Sequence, residues 1–367
     1  MGQKEKGGRS GVFLGGGLMA LVGLELLRSQ APNPYSFITE GSAVEMACQA
    51  VFGLFVALCA VALCLRAAGR GSFSRHFSVR LAFRAVVLAL ICVIADRLGL
   101  RLCWMVHECA AMESNPQGFL ESMIYMTVKC RGILGMGIWT TVRLALFGTA
   151  IAFVLAIFMV FLRIMEPGRR DGEFVRLLKW LANGFASFYI FVIRGTPMMV
   201  QALIFYYFGF GLFKNTGMTV SEINKVWSFF ISGLFTVSLN STAYLSEVLR
   251  GGIQAVDPGQ MEAARSLGMT NWQAMTKVVF PQAVKNSIPA IGNEFIINIK
   301  DSAVLSVIGV MDLMYATKSV SGIYFRSLEI YCVAAGLYLF LTWLSSRLLN
   351  YLGRKLDVPY GGIPSSN

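Results

Sequence analysis

Long apolar runs alternate with short polar segments along most of this chain. Ala43 to Leu65 is one such run. Trp139 to Leu162 is another, broken only by Arg143. A helical span needs roughly 20 mostly apolar residues to cross about 30 Å of hydrocarbon. On that scale the pattern predicts eight spans, at 11–27, 43–65, 81–100, 138–162, 197–213, 227–247, 288–310 and 328–349. The expected fold is therefore an all-α polytopic membrane protein. Between the fourth and fifth spans, Glu173 to Ile193 mixes aromatic with charged positions and reads as an amphipathic helix at the membrane interface. Thr196 and Pro197 then carry the cap and first-turn signals of the fifth span.

One polar stretch interrupts the pattern: QMEAARSLGMTNWQAMTKVVFP, from Gln260 to Pro281. Asp257 is placed as an N-cap, with Pro258 at the first helical position and Gln260 two further on, close to a capping box. That helix should run to Leu267, where Gly268 supplies a left-handed terminating residue. Thr270 starts a second helix, with Gln273 three residues on, and Pro281 marks its limit or a kink. Met261, Ala264 and Leu267 share one face; Trp272, Met275 and Val279 share another. A simple connection between two spans needs none of this. Two capped helices on a glycine turn suit a rigid knob that docks on another protein.

Composition agrees with a membrane class. Of 367 residues 56% are hydrophobic and 14% charged, against about 25% charged in soluble domains. The net charge of +12 does not imply nucleic acid, because the basic residues fall in short clusters between apolar runs. The richer clusters are Lys4–Arg9, Arg66–Arg80, Arg163–Lys179, Arg250–Lys285 and Arg354–Lys355, which predicts both termini on the cytoplasmic side. The basic start and apolar run to Leu24 resemble a signal peptide; the helices that follow favour an uncleaved anchor. Five of the eight cysteines lie in apolar runs. Cys103, Cys109 and Cys130 fall in one loop, where a disulfide would need an oxidising compartment. His76 and His107 are the only histidines, too few for a His-rich metal site.

Glu262-Ala263-Ala264, then Gly268, then Val278, Phe280 and Pro281 resemble the EAA loop of permease subunits of bacterial ABC importers. Val278-Val279-Phe280-Pro281 departs conservatively from that family's Ile-x-Leu-Pro ending. Arg194–Pro197, Asn240–Glu247, Arg250–Ile253, Pro281–Ala283, Pro289, Gly292–Ile296 and Lys300–Ser302 are similar to the branch that imports polar amino acids. The resemblance covers roughly 133–355. It implies a five-helix permease core there, with the loop at about 250–286, a three-helix N-terminal extension at 1–132, and a cytoplasmic tail at 356–367. It also implies partners: a dimer of ABC ATPase subunits gripping the EAA loop, a second permease, identical or homologous, and an extracytoplasmic substrate-binding protein. The location implied is the bacterial inner membrane, and the cargo a polar amino acid.

The chain contains no Gly-x-x-x-x-Gly-Lys-Ser/Thr pattern, so it is not expected to be an enzyme. No cofactor is expected on it; ATP and Mg would sit on the partner ATPase. Within the spans, Glu294, Asn298 and Asp301 lie on one helix face, and Thr236, Asn240, Tyr244 and Glu247 on another. Charge at the bilayer centre costs about 2.5–3.5 kcal/mol on insertion scales, so such residues face an interior or a polar path. One reading makes these stripes the translocation route, with Asn240 and Tyr244 meeting polar groups and Glu294 or Asp301 an ammonium. The other makes them interhelical glue. An ion-coupled secondary amino-acid transporter or channel is the alternative function; it would be expected to show inverted repeats, and no repeat pairs the two halves.

Overall fold

The computed structural model of the chain describes residues 18–27, 36, 38, 39, 42–67, 77–165, 168 and 171–355, with side chains omitted at 61–67 and 77–83. Lys4, Lys6, Arg9, residues 11–17 of the first expected span, His76, Arg169, Arg170 and the tail 356–367 lie outside the described residues. The chain divides into two compact units, residues 1–128 and 129–367.

In the first unit, helices α1 (Leu18–Leu27), α2 (Ala43–Ala67) and α3 (Phe77–Ile94) surround a core of Ala20, Phe52, Phe55, Val86 and Val93. The third expected span does not stay regular. A π-helical turn, Ala95–Leu100, follows α3 and leads into α4 (Arg101–Ala111). Asp96 at that turn is fully buried and accepts from the Ser36 hydroxyl at 2.7 Å. α5 (Phe119–Lys129) follows. Cys103, Cys109 and Cys130 are free thiols. Cys109 lies 3.7 Å from the Glu121 carbonyl and Cys130 lies 3.9 Å from the Tyr324 hydroxyl.

The second unit is built around α6 (Arg131–Ile164), α10 (Phe229–Gln254) and α13 (Phe280–Asp301), which pack on one another. Small residues allow close approaches within this unit. A Cβ on Gly137 would lie 2.9 Å from the Leu313 backbone, and one on Gly252 would lie 2.7 Å from the Ala283 carbonyl oxygen. α7 (Glu173–Gly195) and α8 (Met198–Asn215) meet at a bend of 113°. Phe174, Trp180, Phe188 and Phe191 on α7 are exposed, while Ala186, Ile190 and Ile193 are buried. The short α9 (Val220–Val226) carries a complete capping box between Thr219 and Glu222. Beyond α13 a 3-10 segment, Ser302–Ile308, ends at Gly309 with φ 95°. α14 (Leu313–Tyr324) and α15 (Ser327–Lys355) complete the unit and pack on each other.

Three described helices are long and apolar enough to cross a membrane, in α2, α6 and α15, or four if the bent pair α7–α8 is one span. Several helices overrun the limits read from the sequence, as α6 does from Arg131 against 138 and α10 to Gln254 against 247, and two boundaries differ in kind. Thr196 does not cap the fifth span: its hydroxyl donates back to Val192 O at 2.9 Å, and Pro197 holds the N-cap position of α8. Threonine readily bonds the carbonyl four residues back, and α7 extends far enough to offer one. The seventh span likewise begins at Phe280 rather than 288 and leaves α geometry after Asp301.

Candidate functional site

The stretch after α10 folds as two capped helices. α11 (Pro258–Ser266) starts at Asp257, whose carboxylate accepts from Gly259 N at 2.8 Å. Gln260 does not complete a box there; its side-chain oxygen accepts from Gln282 Nε2 at 3.3 Å instead. α11 ends in a Schellman arrangement: Met269 N donates to Ala264 O and Gly268 N to Arg265 O, with Gly268 at φ 85°. α12 (Asn271–Ala274) opens with the expected reciprocal box between Thr270 and Gln273. Both ends of the turn are thus fixed by local chemistry that the sequence already carries.

Pro281 does not end the helical run: regular α geometry stops at Ala274, and helix resumes at Phe280 and continues through Pro281. A π-helical turn, Met275–Val279, joins α12 to α13, with Phe280 N donating to Met275 O. Proline lacks an N–H and clashes with the carbonyl four residues back in a regular helix. The wider turn relieves that clash. Gln282 Nε2 donates to Val278 O at 3.0 Å within the same turn. The knob therefore runs into α13 as continuous helix.

Its base is apolar. Val256, Val279 and Ala283 are buried there, with Ile253, Met261 and Met275 packed against them. Ala264 is buried as well, whereas Glu262, Ala263, Gly268 and Pro281 are exposed. Leu267 does not join Met261 and Ala264 on the inward face; it is 83% exposed. The helix stops at Ser266, so Leu267 leaves the helical register and stands at the tip. Trp272, also expected to share a face with Met275 and Val279, leans instead on Phe161 of α6, with ring centroids 5.3 Å apart.

The polar positions within the helices do not form one stripe. Asn298 is buried and ties three helices: its amide nitrogen donates to Thr149 of α6 at 2.9 Å, and its oxygen accepts from Ser241 of α10 at 3.0 Å. Asn240, also buried, donates to Gln201 Oε1 at 2.9 Å, and Gln201 in turn donates to Ile193 O at 2.8 Å across the α7–α8 corner. Glu294 is 7% exposed and neighbours Ser241. Tyr244 is exposed, with the Arg194 guanidinium 5.5 Å over its ring. Asp301 is exposed too. Glu247 forms ion pairs with Arg163 of α6 and, at 2.7 Å, with Arg250 of its own helix. The sequence pattern singles out neither Gln201 nor Thr149, and takes Arg163 only as part of a basic cluster. Each bonds a partner on another helix, which no local pattern announces. Among the described residues, no group of three or more His, Cys, Asp or Glu is placed to hold a metal.

Helices long and apolar enough to cross a membrane, packed through buried polar seams and carrying an exposed, doubly capped helix pair, fit a multi-pass membrane protein. The chain belongs to the family described as binding-protein-dependent transport system inner membrane component, which matches residues 172–358. It is 34% identical over 214 residues to the nopaline transport system permease protein NocM of Agrobacterium fabrum, covering 57% of this chain and 82% of that one. It is 34% identical over 224 residues to the probable glutamine ABC transporter permease protein GlnM of Bacillus subtilis, covering 61% and 93%. A crystal structure of an amino acid ABC transporter with histidines is similar with a TM-score of 0.53 and 36% identity, covering 65% of this chain and 99% of that one. Family membership leaves the ion-coupled transporter or channel without support.

Proposed function

We propose that this inner-membrane permease subunit forms the path for a polar amino acid in an ABC importer, and that the knob from Asp257 to Pro281 is where a separate ATP-hydrolysing subunit docks. The observation that carries the reading is the knob itself. It is capped at both helix starts, closed by a left-handed glycine, welded to α10 and α13 at its base, and exposed at Glu262, Ala263 and Leu267. The relatives' names support the cargo class: they include permeases for glutamine and nopaline. ATP and Mg act on the partner, two permeases pair, and an extracytoplasmic binding protein delivers the substrate. Both chain termini, like the knob, face the cytoplasm.

The route through the membrane uses Tyr244 and Asp301, which are exposed, together with the buried carboxylate of Glu294. Asn240 and Asn298 hold the walls rather than the cargo, since their amides already serve neighbouring helices. Interhelical bonds of this kind are worth about 0.6 kcal/mol on average.

The test is uptake of 14C-labelled amino acids by cells carrying Glu262→Lys or Gly268→Asp. Both variants should insert normally and lose uptake, because the first reverses charge on the docking face and the second puts a side chain at φ 85°. Normal uptake by both variants contradicts the docking role.

A further inference from the structure

Phe161 and Arg163, two residues apart near the end of α6, connect the knob to the helix core in two directions. The Phe161 ring lies 5.3 Å from the Trp272 ring and 4.9 Å from the Phe280 ring, one on each side of the π-helical turn. Residues two apart on a helix do not face each other, and Arg163 turns to α10, where it pairs with Glu247. The Arg163 carbonyl accepts from Asn183 of α7 at 2.6 Å. One turn of α6 thus touches the knob, α10 and α7.

The charges have an asymmetry that matters. Glu247 Oε2 receives two bonds from Arg250, at 2.9 Å from Nε and 2.7 Å from the terminal nitrogen. Arg250 sits three residues along the same helix and travels with Glu247. Arg163 belongs to a different helix. Removing one partner of a partly buried pair is costly when it leaves a bare charge. Here Arg163 can withdraw and Glu247 keeps a guanidinium. α6 can therefore shift against α10 without stranding a carboxylate.

We propose that the Phe161–Arg163 turn is the joint that transmits knob movement to the helices, with the Arg163–Glu247 pair as its releasable latch and Arg250 as the standing counter-ion. The proposal rests on the docking reading above. The knob's base is packed against α10 and α13, so a push from the motor moves those two helices with it. α6 is packed along α10 and α13 higher up, and at the level of the knob the aromatic contact and the latch are its ties to the moving turn. Phe161 and Arg163 are positioning residues: they couple the movement and touch no substrate.

The test uses the importer complex purified through a tag on this chain, with ATP hydrolysis measured on the complex and 14C-amino-acid uptake in intact cells. Phe161→Ala and Arg163→Gln should keep the ATPase subunit bound while uptake per ATP hydrolysed falls about fivefold or more. Phe161→Tyr and Arg163→Lys should recover at least about half of the ratio. Arg250→Gln should act in the opposite sense, slowing hydrolysis itself, because releasing Arg163 then leaves Glu247 bare. An unchanged ratio in Phe161→Ala and Arg163→Gln, or a proportional fall in uptake and hydrolysis that the conservative variants do not rescue, overturns the joint. Uptake at the parent level in both Glu262→Lys and Gly268→Asp cells overturns the docking reading on which it rests.

Discussion

The knob and the polar seams of α6, α10 and α13 are both departures from an apolar chain, yet they are held together differently. The knob is fixed by neighbours in sequence: Asp257 with Gly259, Thr270 with Gln273, and Gly268 closing the helix between them. The seams are fixed by partners far away, such as Asn298 with Thr149 and Ser241, or Glu247 with Arg163. A locally determined unit stays rigid when the helices around it move. A seam of long-range bonds can rearrange. That difference suits a lever set on a core that must change shape.

Altering the knob should therefore cost transport while sparing the fold. Gly268→Asp is expected to have the largest effect, reducing uptake by about tenfold or more, the equivalent of about 1.4 kcal/mol. Its melting temperature in detergent should stay near that of the parent chain; a large fall would erase the distinction. Altering the seam should do the reverse. Gly252→Val places atoms against the Ala283 carbonyl, where a Cβ already comes within 2.7 Å. Overpacking of this kind typically costs about 1–3 kcal/mol, read as a lower melting temperature with uptake per ATP unchanged.

Smaller effects sharpen the same contrast. Thr270→Ala removes one arm of the capping box, worth about 1 kcal/mol, and should raise hydrogen exchange in α12 alone. Asn298→Ala deletes two interhelical bonds of about 0.6 kcal/mol each, so it should lower stability slightly and leave substrate preference intact. A changed preference would move Asn298 from the wall to the path. The smallest effect lies outside both regions. A hydrogen bond from Lys179 at 2.7 Å, with another from Gly168 N, holds the Asp171 carboxyl below the usual carboxylate range. A lowered value means the contact contributes above the ordinary carboxylate range and is lost as pH falls through the folded value. Asp171→Asn should abolish that acid-side change in the order of the α7 start, as read by hydrogen exchange.

What was legible in the sequence follows the same division. The caps at Asp257 and Thr270, the proline at the first turn and the glycine at φ 85° are one-to-four-residue signals, so the knob's helix starts and its turn were readable, while the box at Gln260 and the face of Trp272 were not. Leu267 was misplaced because a face computed at helical spacing was carried one residue past the helix end. Pro281 reads as a limit or a kink because nothing local announces a π-helical turn ahead of it. In the spans, periodicity placed Asn240 and Asn298 on faces but could not name Gln201 or Thr149 as their partners. Glu247 looked like a lining residue until Arg163, 84 positions earlier, came beside it.

The most direct measurement puts a photo-crosslinking phenylalanine analogue at Leu267, the exposed tip of the knob, and illuminates the purified complex with and without ATP. The account predicts a crosslink to an ATP-hydrolysing subunit whose yield changes with nucleotide. No crosslink to such a subunit in any nucleotide state, from a complex that still hydrolyses ATP, would contradict it.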